Sequence, residues 1–351
     1  MIPIERNGKI YRVPNELTDF QERMYVHLID WKWDRITRKA GTFKGIEYDA
    51  VLPEEEKARN QPIYQPVVPL LRRHRDKFRF KYHQFAGHMA SSQAACANLF
   101  LPILKNPEIG AKVLSSLKRD LQSIETRLPN FESGYRLEFW GDRQEILKDH
   151  NPASGTDADI AISYRDQDGD LCLWLIEHKL TEREFTPCGG FRSPGKKERY
   201  SCESATGILT DRDKCYYHGA CRYRYWDVTL ESEFFPLDNI RRHGDCPFKG
   251  GMNQLWRNQL LGLSIENLRL PDLPFKKTFF SVVNHPDNHV LTPTLRDYAA
   301  LVNHADRFSY FTSDKLVKAA KSSNDPFLND WGSWYERLYY LPANEPGAPI
   351  S

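Results

Sequence analysis

The sequence predicts an α/β protein in which a central mixed β-sheet is flanked by helices. Runs rich in β-branched and aromatic residues, which are typical of strands, lie at 135–140, 156–180 and 276–285. Helical patterns lie before and after these runs, at 89–104 and 252–263. With 351 residues, the chain is long enough for one large domain with additions or for two smaller domains.

Three regions are expected along the chain. Residues 1–84 form a helical and basic N-terminal region, residues 85–300 the α/β core, and residues 301–351 a C-terminal helical region. Residues 185–250 interrupt the core as a cysteine-rich insertion that is rich in Gly and Pro and has little hydrophobic periodicity. At 70–83 cations alternate with aromatic residues, a pattern that suits a partner bearing phosphates.

Local signals set the bounds of single helices. The helix at 89–104 starts near Ser91 or Ser92 and has Pro102 near its end. A second helix is expected at 109–128. Both helices precede the strands of the predicted sheet.

The segment TDADIAISYRDQDGDLCLWLIEHKL (156–180) is typical of a hairpin of two apolar strands. Glu177 and Lys179 are two residues apart on one strand, so both side chains leave the same face of the sheet. His178 faces the other way and is expected to be packed behind the sheet. Charged residues at the end of so apolar a strand indicate a functional site.

The length of the connection decides where the acids of the first strand point. A two-residue Asp168-Gly169 turn would place Asp159 opposite His178. A three-residue loop with Gly169 in the left-handed conformation instead places Asp159 opposite Glu177, with Cβ atoms about 4.5–5.5 Å apart. We expect the three-residue loop and a divalent metal between these acids, since two ionised carboxylates this close repel unless a cation separates them.

Asp159, Glu177 and Lys179 suit the hydrolysis of phosphodiester bonds. A Mg²⁺ or Mn²⁺ ion held by the two acids would polarise a phosphoryl oxygen and lower the pKa of a bound water, while Lys179 would orient that water or stabilise the charge at phosphorus. Asp157 is the reserve ligand. The competing interpretation is a solvated strand end, in which Asp157 and Asp159 only cap the start of a strand.

This combination resembles the signature of the PD-(D/E)xK nuclease superfamily, with Asp159 as the motif's Asp and Glu177-His178-Lys179 as its E-x-K. Thr156-Asp157-Ala158 replaces the usual Pro-Asp, which leaves the choice between Asp157 and Asp159 open. The resemblance extends over about residues 85–290 to a group of restriction-endonuclease-like proteins, through SSQAACANLFLPIL, YRLEFW, TDADIAI, LIEHKLTEREFTPC, CPFKGGMNQLWRNQLLG and FFSVVNHPDN. It implies a restriction-endonuclease-like core and a Mg²⁺-dependent DNA nuclease, active in restriction or antiviral (anti-phage) defence.

The resemblance also implies supporting residues. Glu138 lies where superfamily members often supply a further acid as a metal ligand, and its alternative role is a surface salt bridge. Gln254 lies on the helix where related nucleases often place a glutamine near the active site. Arg257, on a similar face, could reach a phosphate. The competing interpretation for Gln254 and Arg257 is a pair of exposed helix residues.

Five of the seven cysteines lie in the insertion. Disulfides are not expected in a reducing cytosol, so clustered cysteines are better interpreted as metal ligands. Four soft ligands can fold a segment that is too polar to make a core, which predicts a structural zinc site. The expected ligands are Cys188, Cys202, Cys215 and Cys246, with Cys221 as the substitute. An iron–sulfur cluster and unliganded thiols are the alternatives.

The insertion also carries cations interleaved with tyrosines. Cations neutralise phosphates and aromatic rings pack on sugars or bases, so we expect this segment to contact DNA rather than to be only a solvated face. The predicted DNA-binding residues are Arg192, Lys196, Lys197, Arg222, Arg224 and Arg257.

The leading hypothesis is a metal-dependent endonuclease with Asp159, Glu177, Lys179, Glu138 and Gln254 as its catalytic residues. A repair exonuclease or structure-specific nuclease and a catalytically idle DNA-binding subunit are the alternatives. The sequence has a net charge of +2 and lacks a long apolar run, so a soluble cytoplasmic protein without membrane contact is expected. A homodimer or a larger defence complex is a further expectation, since many nucleases dimerise to cut both strands.

Overall fold

The computed structural model describes residues 2–6, 8–80, 86–151, 155–192, 202–302, 304 and 306–342. The chain divides into two compact units. One is formed by Met1–Lys105 together with Asp314–Ser351, and the other by Asn106–Ser313. Within the described ranges, no helix combines the length and the apolar character that crossing a membrane requires.

The first unit contains two short hairpins as well as helices. Strand β1 (Ile2–Arg6) pairs with β2 (Lys9–Val13), and β3 (Gly41–Phe43) pairs with β4 (Ile46–Tyr48). Its first helices are α1 (Asp19–Arg35), α2 (Glu54–Ala58), α3 (Val68–Phe78) and α4 (Ser92–Leu104). The helix predicted at 89–104 is confirmed as α4. Of the basic segment predicted at 70–83, the part up to Phe78 lies in α3. Residues 81–83 of that segment lie outside the described residues.

The second unit is built around a six-stranded sheet. Its helices are α5 (Pro107–Leu114), α6 (Gly189–Arg192), α7 (Ala205–Thr210), α8 (Tyr216–Gly219), α9 (Tyr225–Glu231), α10 (Leu237–Arg242), α11 (Met252–Leu268) and α12 (Thr292–Val302). Its strands are β5 (Leu121–Ile124), β6 (Tyr135–Phe139), β7 (Ala158–Asp166), β8 (Leu171–Lys179), β9 (Lys277–Asn284) and β10 (Phe308–Thr312).

The sheet is mixed. Its order is β10-β9-β8-β7-β5, and β6 also pairs with β7. Strand β7 runs antiparallel to β5, β6 and β8, whereas β8, β9 and β10 are parallel to one another. Helix α11 is the last helix in the long connection between β8 and β9, and it contacts both strands. The predicted α/β fold with a central mixed sheet flanked by helices is confirmed.

The C-terminal helices α13 (Ser313–Lys321) and α14 (Pro326–Tyr339) follow the sheet. Helix α14 packs with α4 in the first unit, where Asn98 Nδ2 donates to Tyr339 Oη at 2.8 Å and Trp331 Nε1 donates to the Asn98 carbonyl at 2.8 Å. Helix α4, assigned to the core on sequence grounds, therefore belongs to the first unit.

The helix predicted at 109–128 is wrong in its second half. Helix α5 ends at Leu114, and Leu121–Ile124 forms strand β5. Strand β5 pairs with the part of β7 that β6 does not cover, with Ile124 opposite Tyr164. Pairing with a strand distant in sequence determines the secondary structure of this segment. The segment itself is too short to show a clear hydrophobic periodicity. Strand β10 is a second example, in a region predicted to be helical.

The described parts of the predicted insertion, residues 185–192 and 202–250, contain short helices whose apolar side chains join the core of the second unit. Helices α6 to α10 have four to seven residues each. The Phe248 ring stacks on Trp256 of α11 with centroids 4.1 Å apart, and Trp226 lies 5.2 Å from the same ring. A segment predicted to be too polar for a core thus contributes to one. Helices this short supply at most two aromatic residues each, which leaves no periodic pattern in the sequence.

Candidate active site

Three residues, Gln167-Asp168-Gly169, separate Asp166 and Asp170, the pair that closes the hairpin of β7 and β8, as predicted. Asp166 N donates to the Asp170 carbonyl at 3.0 Å, and Gly169 has φ +79°. Asp166 Oδ1 accepts from Asp168 N at 3.1 Å and from Asp170 N at 2.9 Å, which holds the loop in this form. The printed register pairs Ile160 with Ile176, and one further step along the hairpin places Asp159 opposite Glu177.

The acids of this loop have a different role from those at the other end of the hairpin. Ligand atoms of Asp166, Asp168 and Asp170 lie within 4.8 Å of one another. Lys277 Nζ lies 3.0 Å from Asp166 Oδ2, and Lys276 Nζ lies 2.7 Å from Asp170 Oδ2. Cations of the chain itself therefore compensate Asp166 and Asp170, and Asp166 stabilises the turn.

Three adjacent strands bring one acid each to the open end of the hairpin. Glu138 on β6 lies between the registered pairs Leu137–Ile160 and Phe139–Ala158, which places it opposite Asp159. Glu138 has φ +49°, a left-handed conformation that is unfavourable for a residue with a Cβ. Such strain is often kept at functional sites. Glu138, Asp159 and Glu177 together form the carboxylate cluster.

Burial and mutual repulsion change the proton affinity of this cluster. The pKa of Asp159 is raised well above its ordinary value by burial, by Glu177 and by Glu138. Lys179 and the backbone N–H of His178, which donates to Asp159 Oδ2 at 2.7 Å, act in the opposite direction. Burial and the neighbouring acids therefore favour the protonated form of Asp159.

Lys179 is the cation of the site. Its Nζ lies 2.8 Å from Glu177 Oε1, and the two residues are 7% and 3% exposed. Burial lowers the pKa of Lys179, but Glu177, Glu182 and Asp159 more than offset this effect and raise it above its ordinary value. Lys179 is therefore charged at neutral pH. His178 is buried at 1% exposure, in agreement with the position predicted behind the sheet.

Helix α11 supplies two amides to Glu177. Gln254 Nε2 donates to Glu177 Oε1 at 2.7 Å, and Asn258 Nδ2 donates to Glu177 Oε2 at 2.7 Å. The two residues are four apart, so they lie on one face of the helix. Gln254 Oε1 also accepts from Thr186 N at 3.0 Å. Asn258 is not among the residues predicted from the sequence, although its spacing from Gln254 is a signal that could have identified it.

The end of β9 supports the segment that follows Lys179. His285 N donates to the Lys179 carbonyl at 3.1 Å. Asn288 Nδ2 donates to the carbonyls of Leu180 and Glu182 at 3.2 and 3.0 Å. Asn288 is 1% exposed, so these contacts are internal to the fold. These contacts fix the backbone that carries Lys179 and Glu182. Neither Glu182 nor Asn288 is among the site residues predicted from the sequence.

Two other predicted residues point away from the carboxylate cluster. Asp157, the reserve ligand, has its Oδ1 3.4 Å from His150 Nδ1, and His150 stacks on Trp140 with centroids 3.9 Å apart. Arg257 is half-buried, with Nη1 3.4 Å from the Gly155 carbonyl. Of the two acids at the start of the hairpin, Asp157 and Asp159, it is Asp159 whose position in β7 lies opposite Glu177.

Three of the predicted DNA-binding residues that the structure describes form local ion pairs. Arg192 pairs with Glu184 at 3.1 Å, and Arg222 pairs with Asp213 at 3.3 Å. Arg224 pairs with Glu231 at 3.2 Å and is largely buried. Lys196 and Lys197 lie outside the described residues.

The cysteines predicted as zinc ligands all lie in the second unit, and their role as ligands stays a prediction. Cys188, Cys202, Cys215 and Cys246 are each 5–7% exposed, and Cys221 is half-buried. The Cys246 N–H donates to the Cys202 carbonyl at 2.8 Å, and the Cys188 N–H donates to the Lys249 carbonyl at 3.2 Å. All seven cysteines, which lie in the described part of the chain, are free of disulfides.

The second unit is thus an α/β fold with a mixed sheet, and three carboxylates and a buried lysine lie at one end of its central strands. This architecture is compatible with a restriction-endonuclease-like fold. The model of the family described as Restriction Endonuclease associating with ARP matches residues 26–340, and the chain belongs to this family. Comparisons with curated proteins and with solved structures found no match.

Proposed function

We propose that the protein is a Mg²⁺-dependent DNA nuclease that hydrolyses phosphodiester bonds as an endonuclease. The observation that carries the proposal is the strand register, which places Glu138 and Glu177 on either side of Asp159, together with the ion pair of Glu177 and the buried Lys179. The description of the family as a restriction endonuclease supports a nuclease role and DNA as the substrate.

Asp159, Glu177 and Glu138 are the residues that would hold the metal. Mg²⁺ prefers carboxylate oxygens, and a divalent cation would relieve the repulsion that raises the pKa of Asp159. When bound, the ion supplies polarisation of a phosphoryl oxygen and a bound water of lowered pKa. Mn²⁺ suits the same oxygen ligands.

Lys179 is the proposed catalytic cation. Its contact with Glu177 and its burial hold the ammonium in one position, so little reorganisation is needed when charge develops at phosphorus. From there it would orient the attacking water or stabilise that charge. Gln254 and Asn258 fix the Glu177 carboxylate from the other side and act as positioning residues.

DNA would approach over the residues that follow β8. Arg192 and Arg222 are exposed, and their partners Glu184 and Asp213 are exposed as well. Exposed ion pairs contribute little stability and can exchange an acid for a phosphate. Restriction or anti-phage defence is the proposed setting, and it rests on the description of the family.

Cleavage of plasmid and linear DNA with Mg²⁺ or Mn²⁺ tests the proposal. The parent should cut, and Glu177→Gln and Lys179→Ala should each be at least about 100-fold slower. Asp168→Asn and Lys276→Ala remove an acid and a cation at the far end of the same hairpin, and they should cut like the parent. A rise in melting temperature with Mg²⁺ in the parent, absent in Glu177→Gln, gives a readout that does not depend on turnover.

Each other result has a defined meaning. Equal cleavage by the parent and both site variants would reject the assigned residues. DNA binding without cleavage of any nucleic acid would indicate an idle DNA-binding subunit. Digestion of linear DNA with closed circles left intact would indicate an exonuclease.

A further inference from the structure

A cavity in the first unit combines aromatic rings with cations. It has a volume of about 210 Å³ and lies where the end of α1 meets α14 and the segment that precedes α3. Two tryptophans, two arginines and two glutamines line it, namely Trp31, Trp334, Arg35, Arg337, Gln61 and Gln65. All six belong to the first unit, whereas the candidate active site lies in the second.

Trp31 and Trp334 give the cavity an aromatic corner. Their ring centroids lie 6.1 Å apart, and the ring planes meet at 85°. The buried Tyr64 ring supports Trp334, with centroids 4.9 Å apart. Both indoles are only half-buried, so part of each ring remains open to a ligand. A planar ring can stack on one indole while its edge meets the other.

Arg35 and Arg337 give the same cavity a positive charge. Both are exposed, and neither forms an ion pair within the part of the chain that the structure describes. Arg6 of the same unit, by contrast, pairs with Glu22 at 2.6 Å. Among the described residues that line the cavity, none is acidic. A guanidinium without an acid can bind a phosphate through two parallel hydrogen bonds, so the cavity suits an anion.

The glutamines and the size of the cavity narrow the class of ligand. An amide side chain carries both a donor and an acceptor, which the edge of a nucleobase can match. Gln65 Nε2 donates to the Ile63 carbonyl at 3.0 Å, and this contact fixes one of the two amides. A volume of about 210 Å³ is below the roughly 300–1,000 Å³ of pockets for drug-sized ligands, so the cavity suits a single ring system.

We propose that this cavity binds one nucleotide. Its base packs in the corner of Trp31 and Trp334, and its phosphate binds Arg35 and Arg337. The nucleotide is either free or a unit of a nucleic-acid strand, since both offer the same base and phosphate. The site is a second place for nucleic-acid chemistry on this chain, and it does not depend on the proposed cleavage.

Isothermal titration calorimetry of the purified full-length protein in EDTA tests the site without any cleavage. The probes are the four deoxynucleoside 5′-monophosphates, the matching deoxynucleosides, inorganic phosphate and a short single-stranded oligodeoxynucleotide. At least one monophosphate should bind the parent about 10-fold or more tightly than its deoxynucleoside or phosphate alone, because the rings and the arginines act on one ligand.

Four variants locate the binding. Arg35→Ala and Arg337→Ala should each weaken binding of the monophosphate by at least about 10-fold, and Trp31→Ala by at least about 5-fold. Arg38→Ala is the matched control, since Arg38 is an exposed arginine near Arg35 that does not line the cavity. It removes the same charge and should bind like the parent. Both arginines of the site are exposed, so their variants should keep the melting temperature of the parent even if Trp31→Ala fails to fold.

The oligonucleotide identifies the source of the ligand. Tighter binding of the strand than of any monophosphate, weakened in Arg337→Ala, would assign the cavity to a nucleotide within a strand. Binding of a monophosphate at least as tight as that of the strand would assign it to a free nucleotide. The proposal would be overturned if no monophosphate and no strand bound the parent, if Arg35→Ala and Arg337→Ala bound like the parent, or if Arg38→Ala lost as much affinity as they did. A protein that binds nucleotide here but does not cleave DNA would support the site and count only against the proposed function.

Discussion

Lys179 Nζ lies 2.8 Å from Glu177 Oε1, and both side chains are buried on one face of β8. Gln254 and Asn258 donate to the same carboxylate from α11. A buried carboxylate that loses its cation keeps the penalty of desolvation and loses the attraction that offset it. Stability and the proposed catalysis therefore depend on the same pair of residues.

Lys179→Met should lower the free energy of unfolding by about 3–5 kcal/mol, because Glu177 is left buried without its counter-charge. The double variant Lys179→Met/Glu177→Gln should recover most of this loss, since a neutral amide needs no cation. Both variants should cleave DNA at least about 100-fold more slowly than the parent. Urea denaturation and plasmid cleavage measure the two effects. Equal stability of the single and double variants would show that the pair is not coupled.

The raised pKa of the Asp159 carboxyl predicts opposite pH dependences for folding and for metal binding. The folded pKa exceeds the ordinary value of 3.8, so between the two values the native state holds more protons than the unfolded state. Without metal, the contribution of Asp159 to stability therefore falls as the pH rises through this window. Mg²⁺ competes with the proton, so its stabilising effect should grow as the pH rises.

Asp159→Asn should remove both dependences. The measurement is the melting temperature of the parent and of the variant from about pH 4 to 8, with and without Mg²⁺. The quantity compared is the difference in melting temperature between the two proteins at each pH. Taking the difference cancels the titration of all other groups. Asp168→Asn is the control and should behave like the parent. A parent whose response to Mg²⁺ is the same at every pH would argue against Asp159 as a ligand.

The geometry of the hairpin could be predicted from two local features. Side chains alternate between the two faces of a strand, and whether the loop has an odd or an even number of residues decides which residues lie opposite each other. Gly169 marks the left-handed position, and Asp166 accepts from the backbone N–H groups that close the turn. These are local signals, present in the sequence itself. The facing of Asp159 and Glu177 follows from them without knowledge of the rest of the fold.

The remainder of the site depends on packing between distant segments. Asn258 reaches Glu177 only because α11 lies against β8 at one particular rotation. The left-handed backbone of Glu138 breaks the pairing of β6 with β7, and an acidic residue gives no sign of such a conformation. Strand β5 and strand β10 likewise exist because neighbouring strands offer an edge, which no local pattern reveals.

Asn258→Ala should slow cleavage by about 10- to 100-fold while leaving the affinity for DNA near that of the parent. The amide holds Glu177 Oε2 at 2.7 Å and touches no residue predicted to contact DNA. The loss of one buried hydrogen bond to a charged group should also lower the free energy of unfolding by about 1.5–3 kcal/mol. Single-turnover cleavage and a binding titration separate the two effects. Asn267→Ala, an exposed asparagine on the same helix, is the matched control and should change neither.

Glu138 allows the ligand role to be separated from a structural role, because its two expected effects have opposite signs. Its φ of +49° is strained for a residue with a Cβ and is readily adopted by glycine. Glu138→Gly should therefore raise the free energy of unfolding by about 1 kcal/mol. The same variant should weaken the stabilisation by Mg²⁺ and slow cleavage, because one carboxylate of the cluster is lost. Glu138→Gln, which keeps the strain and removes the charge, should slow cleavage without the gain in stability.

A surface acid that only forms a salt bridge would behave differently. Glu138→Gly would then combine the gain from relieved backbone strain with the loss of a salt bridge worth less than about 1 kcal/mol, and Glu138→Gln would show only that loss. Both variants would cleave like the parent. Urea denaturation at low Mg²⁺, melting temperature as a function of Mg²⁺, and plasmid cleavage distinguish the two cases on the same three proteins. Because Glu138 lies opposite Asp159 across β6 and β7, the loss of its charge should also bring the pKa of Asp159 closer to its ordinary value. The pH at which Mg²⁺ begins to stabilise Glu138→Gln should therefore be lower than in the parent.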